Sequence, residues 1–82
     1  MKEGYGNLTV FNLRAECFMS LGYFRSAKDD LEFIIIFPEG IYSKYYLNMC
    51  SVKTVLEESD AQAICKEAKE LRVSEMNDRN KD

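Results

Sequence analysis

The chain contains no histidine and no tryptophan, a single proline, and no apolar run long enough to cross a membrane. Without histidine there is no imidazole to act as a general base or to complete a zinc site, so Cys-His nucleophile pairs and Cys/His metal centres are excluded. Membrane-spanning helices need about 18 or more consecutive apolar residues, and none is present. The opening stretch MKEGYGNLTV has no apolar core of the secretory kind, so no signal peptide is expected and the Asn7-Leu8-Thr9 sequon reads as chance. An excess of basic charge is missing too: the net charge is −3. Residues 1–56 carry six charges of each sign, and residues 57–82 carry eight acidic and five basic ones. Nothing in this balance builds a positive surface for nucleic acid.

What is present is a compact-domain composition: 46% apolar residues, with five Phe and five Tyr, in 82 residues. A domain this small buries only about 60–65% of its unfolded surface, so its margin of stability is thin. Three widely spaced cysteines, Cys17, Cys50 and Cys65, make no recognisable site and are expected to be reduced, partly buried thiols of a cytoplasmic protein.

Sliding the chain against itself by 34 residues matches apolar positions throughout. Phe11 falls on Tyr45, Leu13 on Leu47, Ala15 on Met49, Phe18 on Val52 and Leu21 on Val55. Ala27 falls on Ala61, Leu31 on Cys65 and Ile34 on Ala68. Inside each unit the spacing is helical. Phe11, Ala15, Phe18 and Leu21 form one stripe, and Gly22 can take the left-handed conformation that ends a helix. Ala27, Leu31 and Ile34 recur at +4 and +7, a spacing that a helix stacks on one face and a strand does not. A third helix is expected over about Ile41 to Leu56. A fourth begins at a Ser59/Gln62 capping box, followed by Ala61, Ile64, Cys65, Ala68 and Leu71. The run Phe33-Ile34-Ile35-Ile36-Phe37 has strand composition but no strand to pair with, so it is expected to be helical and buried. Pro38 limits its continuation. The fold class is all-α, two stacked antiparallel helical hairpins: residues 1–8 as a lead-in, 9–38 and 40–73 as the hairpins, and 74–82 as a polar tail that frays.

From these residues the chain resembles the tetratricopeptide repeat family, whose unit is a 34-residue helical hairpin that stacks into a solenoid. Phe11 to Pro38 looks like one full unit, with Ile34 in place of a small residue and Pro38 one position early. Tyr45 to Leu71 resembles a second, degenerate unit, with Met49 at a small-residue site and Leu56 and Glu58 at the turn. The resemblance implies a non-catalytic adaptor, scaffold or assembly module, chaperone-cofactor-like in the broad sense, whose partner is another protein or a peptide. It places a candidate peptide-binding face at Thr9, Asn12, Leu13, Glu16, Met19 and Ser20 of the first helix and at Ser43, Tyr46, Leu47, Cys50 and Lys53 of the third. A clamp for a chaperone's C-terminal carboxylate is not expected. Leu13 and Leu47 stand at that clamp's amide sites and Ser43 at a basic one, leaving only Asn12 and Lys53 with suitable chemistry.

Val10, Phe33, Ile35, Ile36 and Phe37 exceed what two internal stripes absorb, and form a candidate association patch. It would serve a homo-oligomer, a stable partner, or the neighbouring repeats of a longer array, since isolated repeats rarely stand alone. Catalysis and a cofactor are not expected. Asp29, Asp30 and Glu32 read as carboxylates in surface pairs with Arg25 and Lys28. Glu57, Glu58 and Asp60 read as negative charge favouring the fourth helix's N-terminus, and Cys50, with Lys53 three residues on, has no base beside it.

Overall fold

The computed structural model describes residues 2–80, with side-chain placement described for residues 8–77. Four helices run in order: α1 (Lys2–Leu21), α2 (Phe24–Ile35), α3 (Ser43–Val55) and α4 (Ala61–Asn80), with a 3-10 turn at Pro38–Gly40 between the second and third. They form two antiparallel hairpins, α1–α2 and α3–α4, joined through α2 packing on α3.

Each hairpin turn acts as a mirror for the sequence around it. Residues equidistant from Gly22 meet across the first hairpin: the Phe11 and Phe33 rings lie 4.6 Å apart, and Arg14 binds Asp30 through two hydrogen bonds of 2.8 and 2.7 Å. Gly22 adopts φ 84°, the left-handed conformation that reverses the chain after Leu21. In the second hairpin the left-handed residue is Glu57, at φ 57°. A side chain in that region is disfavoured by about 1–2 kcal/mol, so this turn is made against local preference where the first is made with it.

The core is one cluster of Leu8, Ala15, Ala27, Leu31, Ile34, Tyr45, Met49 and Val52, contributed by α1, α2 and α3. Five of the eight matched pairs 34 residues apart share their exposure. Ala15 and Met49, Ala27 and Ala61, and Ile34 and Ala68 are all buried, while Leu13 and Leu47, and Leu21 and Val55, are all exposed. The repeat is therefore one of packing as well as of residue type.

Several boundaries differ from the sequence expectation. The expected lead-in is helical from Lys2, and Leu8, placed within it, belongs to the core. The expected tail is helical to Asn80, with Glu75 in contact with α3. The fourth helix starts at Ala61 rather than after Ser59, which makes Asp60 the flanking residue whose carbonyl accepts the Ile64 N–H. The FIIIF run is helical only to Ile35. Phe37 is extended at φ −99°, ψ 145°, because a residue before proline is driven out of the helical region. Of that run Ile34 alone is fully buried, so the expectation of a buried apolar helix is corrected to one buried edge and a partly exposed remainder.

The cysteine expectation is also corrected. Cys50 and Cys65 form a disulfide between α3 and α4, with Cα atoms 4.8 Å apart, while Cys17 is a free, exposed thiol. The two bonded residues are symmetric about Glu57 and Glu58, so the antiparallel hairpin brings them opposite one another. Reduced thiols were one ground of the cytoplasmic expectation, and this pairing removes that ground. No helix among the described residues is long and apolar enough to cross a membrane.

Candidate functional site

The side of the molecule shared by α1 and α3 is built on a polar bridge. Asn48 of α3 donates through Nδ2 to Asn12 Oδ1 at 2.9 Å and to Glu16 Oε2 at 3.0 Å, and Asn12 Nδ2 donates to the same Glu16 oxygen at 3.4 Å. Asn12 is buried by this contact, and Glu16 remains exposed. The bridge sets the two helices side by side and orients two amides and a carboxylate at the seam. Either side of it Leu13 is 55% and Leu47 39% exposed. Val55, two turns beyond Leu47 on the same side of α3, is exposed as well.

At one end the seam widens into a hollow of about 240 Å³ lined by Leu8, Thr9, Glu39, Tyr42, Lys44 and Tyr45. The Lys44 ammonium lies 5.1 Å from the centre of the Tyr45 ring, a cation–π arrangement that holds the charge at the rim. Sequence reasoning missed this hollow, along with Asn48, Lys44 and Val55. Lys44, Leu47, Ser51 and Val55 follow an i, i+3, i+7, i+11 spacing along α3, a signal that could have found Lys44 and Val55.

Of the remaining expected face residues, Thr9 lines the hollow and the others have different surroundings. Ser43 is buried and bonded to Glu75 of α4, through its backbone N–H at 2.8 Å and its hydroxyl at 2.7 Å. Glu75 thereby supplies the N-terminal cap of α3 from a neighbouring helix. Tyr46 is half-buried toward α4. Burial, and secondarily the negative charge of Glu67, push its hydroxyl pKa up. Cys50 is taken by the disulfide. Met19 packs partly buried against the core, and Thr9 and Ser20 are exposed.

Lys53 is buried at 7% exposure and binds Asp60 at 3.1 Å and Glu58 at 3.3 Å, while Lys28 of α2 binds Glu58 at 2.7 Å. This group ties α2 to the turn of the second hairpin. Two sequence readings are corrected: Asp30 is a buried partner of Arg14 within the first hairpin, and Lys28 pairs with Glu58 rather than with its own helix. Burial depresses the Lys53 pKa, but hydrogen bonds to Asp60 and Glu58 and the two negative charges leave it raised. The hydrogen bond from Lys28, then that from Lys53, holds the Glu58 carboxyl below the usual range.

These directions fix a pH dependence. A depressed carboxyl stabilises the fold above its unfolded pKa, and that contribution is lost as pH falls through the folded value. The raised Lys53 contributes below its ordinary pKa and loses that contribution only in strong base. Urea unfolding of Glu58→Gln between about pH 6 and pH 3 should therefore show a shallower acid loss of stability than wild type. Parallel acid limbs in the two proteins would place the contribution elsewhere.

The association patch divides. Ile35 is half-buried on the core, and Phe33 and Phe37, both exposed, meet edge-to-face 5.2 Å apart in an aromatic row with Phe11. Val10, 61% exposed, and Ile36, 69% exposed, remain open. Among the described residues no group of three or more His, Cys, Asp or Glu could hold a metal ion. No family model matches the chain, and neither a curated protein nor a solved structure does.

Proposed function

We propose that the chain is a non-catalytic protein–protein interaction module of tetratricopeptide type, which takes an extended peptide segment along the open side of α1 and α3. The observation that carries this is the seam itself. Leu13 and Leu47 are exposed on either side of the Asn12–Asn48–Glu16 bridge, and the seam ends in a hollow with a cation at its rim. Apolar side chains flanking oriented polar groups offer a peptide both buried area and backbone hydrogen bonds. The carboxylate clamp finds no support, since Lys53 and Ser43 are engaged by Asp60, Glu58 and Glu75.

Panning a random peptide library against the purified protein tests this. Selected peptides should bind wild type and lose at least tenfold in affinity to the double variant Leu13→Glu, Leu47→Glu, whose side chains are exposed and whose helix content should not change. Equal binding to both proteins, or no enriched sequence, would remove the reading.

A second reading, self-association, draws on Val10 and Ile36, whose exposure exceeds that of Leu13 and Leu47. Light scattering across a dilution series separates the two. A mass of twice the 9.5 kDa chain that persists on dilution, and is halved by Ile36→Lys, favours self-association; a monomer throughout favours the peptide face.

A further inference from the structure

α4 stands apart from the other three helices in how it is held. The core cluster draws on α1, α2 and α3, while α4 buries only Ala61 and Ala68 among its described residues, with Ile64 packed partly against the core. Its one extensive neighbour is α3. Its outward positions Lys66, Glu67, Lys69 and Glu70 are exposed. The apolar area that α4 brings is that of Ala61 and Ala68 with the half-buried Ile64 and Leu71, and specific links to α3 add to it. Among the described residues these lie at three places: Asp60 with Lys53 just before the helix, Cys65 with Cys50 in its second turn, and Glu75 with Ser43 toward the far end. The middle one is covalent. Cys50 and Cys65 are both partly exposed, and the Thr54 hydroxyl lies 3.9 Å from Cys65 Sγ. Attack by a thiolate from solution draws on that exposure.

We propose that Cys50–Cys65 is a redox latch: reduction by a dithiol releases α4 from α3 while the α1–α2–α3 core stays folded, uncovering the α3 surface at Ser43, Tyr46 and Cys50. The chemistry balances. One sulfur of the dithiol attacks the bond, forms a mixed disulfide and expels the other cysteine as a thiolate, which takes up a proton. The second sulfur of the dithiol then closes on the first and expels the remaining cysteine. Two electrons and two protons pass to Cys50 and Cys65, and the dithiol leaves as a cyclic disulfide.

With the latch closed, opening α4 leaves the chain tethered through a 15-residue loop, and removing that tether should raise the open population roughly a hundredfold. The latch is independent of the peptide face, because none of the three uncovered residues forms the Asn12–Asn48–Glu16 seam.

Amide hydrogen exchange on the full chain, with and without dithiothreitol, tests the latch. A Cys17→Ser background prevents exchange of the free thiol with the disulfide, and Cys65→Ser provides a form that cannot close. On reduction, amides from Ile64 to Leu71 should lose roughly a hundredfold in protection, while those around Ala15 and Leu31 change by no more than a few-fold. Cys65→Ser should behave as the reduced form under both conditions. Unchanged protection in α4, an equal loss across all four helices, or a Cys65→Ser protein as protected as the oxidised one would each overturn the latch.

Discussion

Replacing Gly40 with alanine should destabilise the protein by about 3 kcal/mol or more, a large share of what a domain of this size has. Gly40 is buried in the 3-10 turn, against the last turn of α2. A Cβ there would run into the Ile34 carbonyl oxygen, with the carbonyl carbon at 2.7 Å and Ile34 Cγ2 at 2.9 Å. Backbone atoms cannot rotate away, and Ile34 is itself fully buried. The turn would have to lift, which pulls on the Gly40 N–H to Phe37 carbonyl bond of 2.9 Å and on the entry into α3. Gly22→Ala is the control. It sits at φ 84° with no atom within 4 Å of the added methyl, so it carries only the backbone penalty of about 1 kcal/mol. Urea unfolding followed by circular dichroism should rank the two variants in that order. A Gly40→Ala protein within 1 kcal/mol of wild type would mean that the turn is not seated on Ile34.

Leu31→Ala should cost about 2–5 kcal/mol, because Leu31 is fully buried within the cluster that α1, α2 and α3 share, and truncation leaves a cavity there. Leu13→Ala, on the exposed side of α1, should change stability by less than about 0.5 kcal/mol. The contrast uses the same residue pair at two sites, so the difference reports burial and not side-chain chemistry. A small loss at Leu31 in the same unfolding assay would show that the three helices do not share one core.

The pairing of 34-residue offsets made the two hairpins legible, because burial follows the repeat: Ala15 with Met49 and Ile34 with Ala68 inside, Leu13 with Leu47 outside. Leu8 was illegible on that basis. Its repeat partner is Tyr42, which lies ahead of α3, so the offset gave no sign that α1 extends back through it. Glu75 was hidden for a different reason. Its role is to cap another helix, and a polar residue in a polar stretch has no periodic signature. The disulfide was legible in principle: once the second turn is placed at Glu57 and Glu58, Cys50 and Cys65 stand equidistant from it, as Arg14 and Asp30 do from Gly22. Reading the cysteines by spacing along the chain, instead of by reflection through the turn, led to reduced thiols. Asn48 escaped for the same reason that it matters. It pairs with Asn12 across two helices, 36 residues away and out of step with the 34-residue repeat.

The most direct measurement of the open-face reading is a nuclear magnetic resonance titration of the oxidised protein with a peptide enriched by panning. Chemical-shift changes concentrated at Leu13, Glu16, Leu47, Asn48 and Val55, with Ile36 unmoved, are the expected result. Changes centred on Ile36, with the α1–α3 seam silent, would contradict it and assign binding to the exposed end of α2.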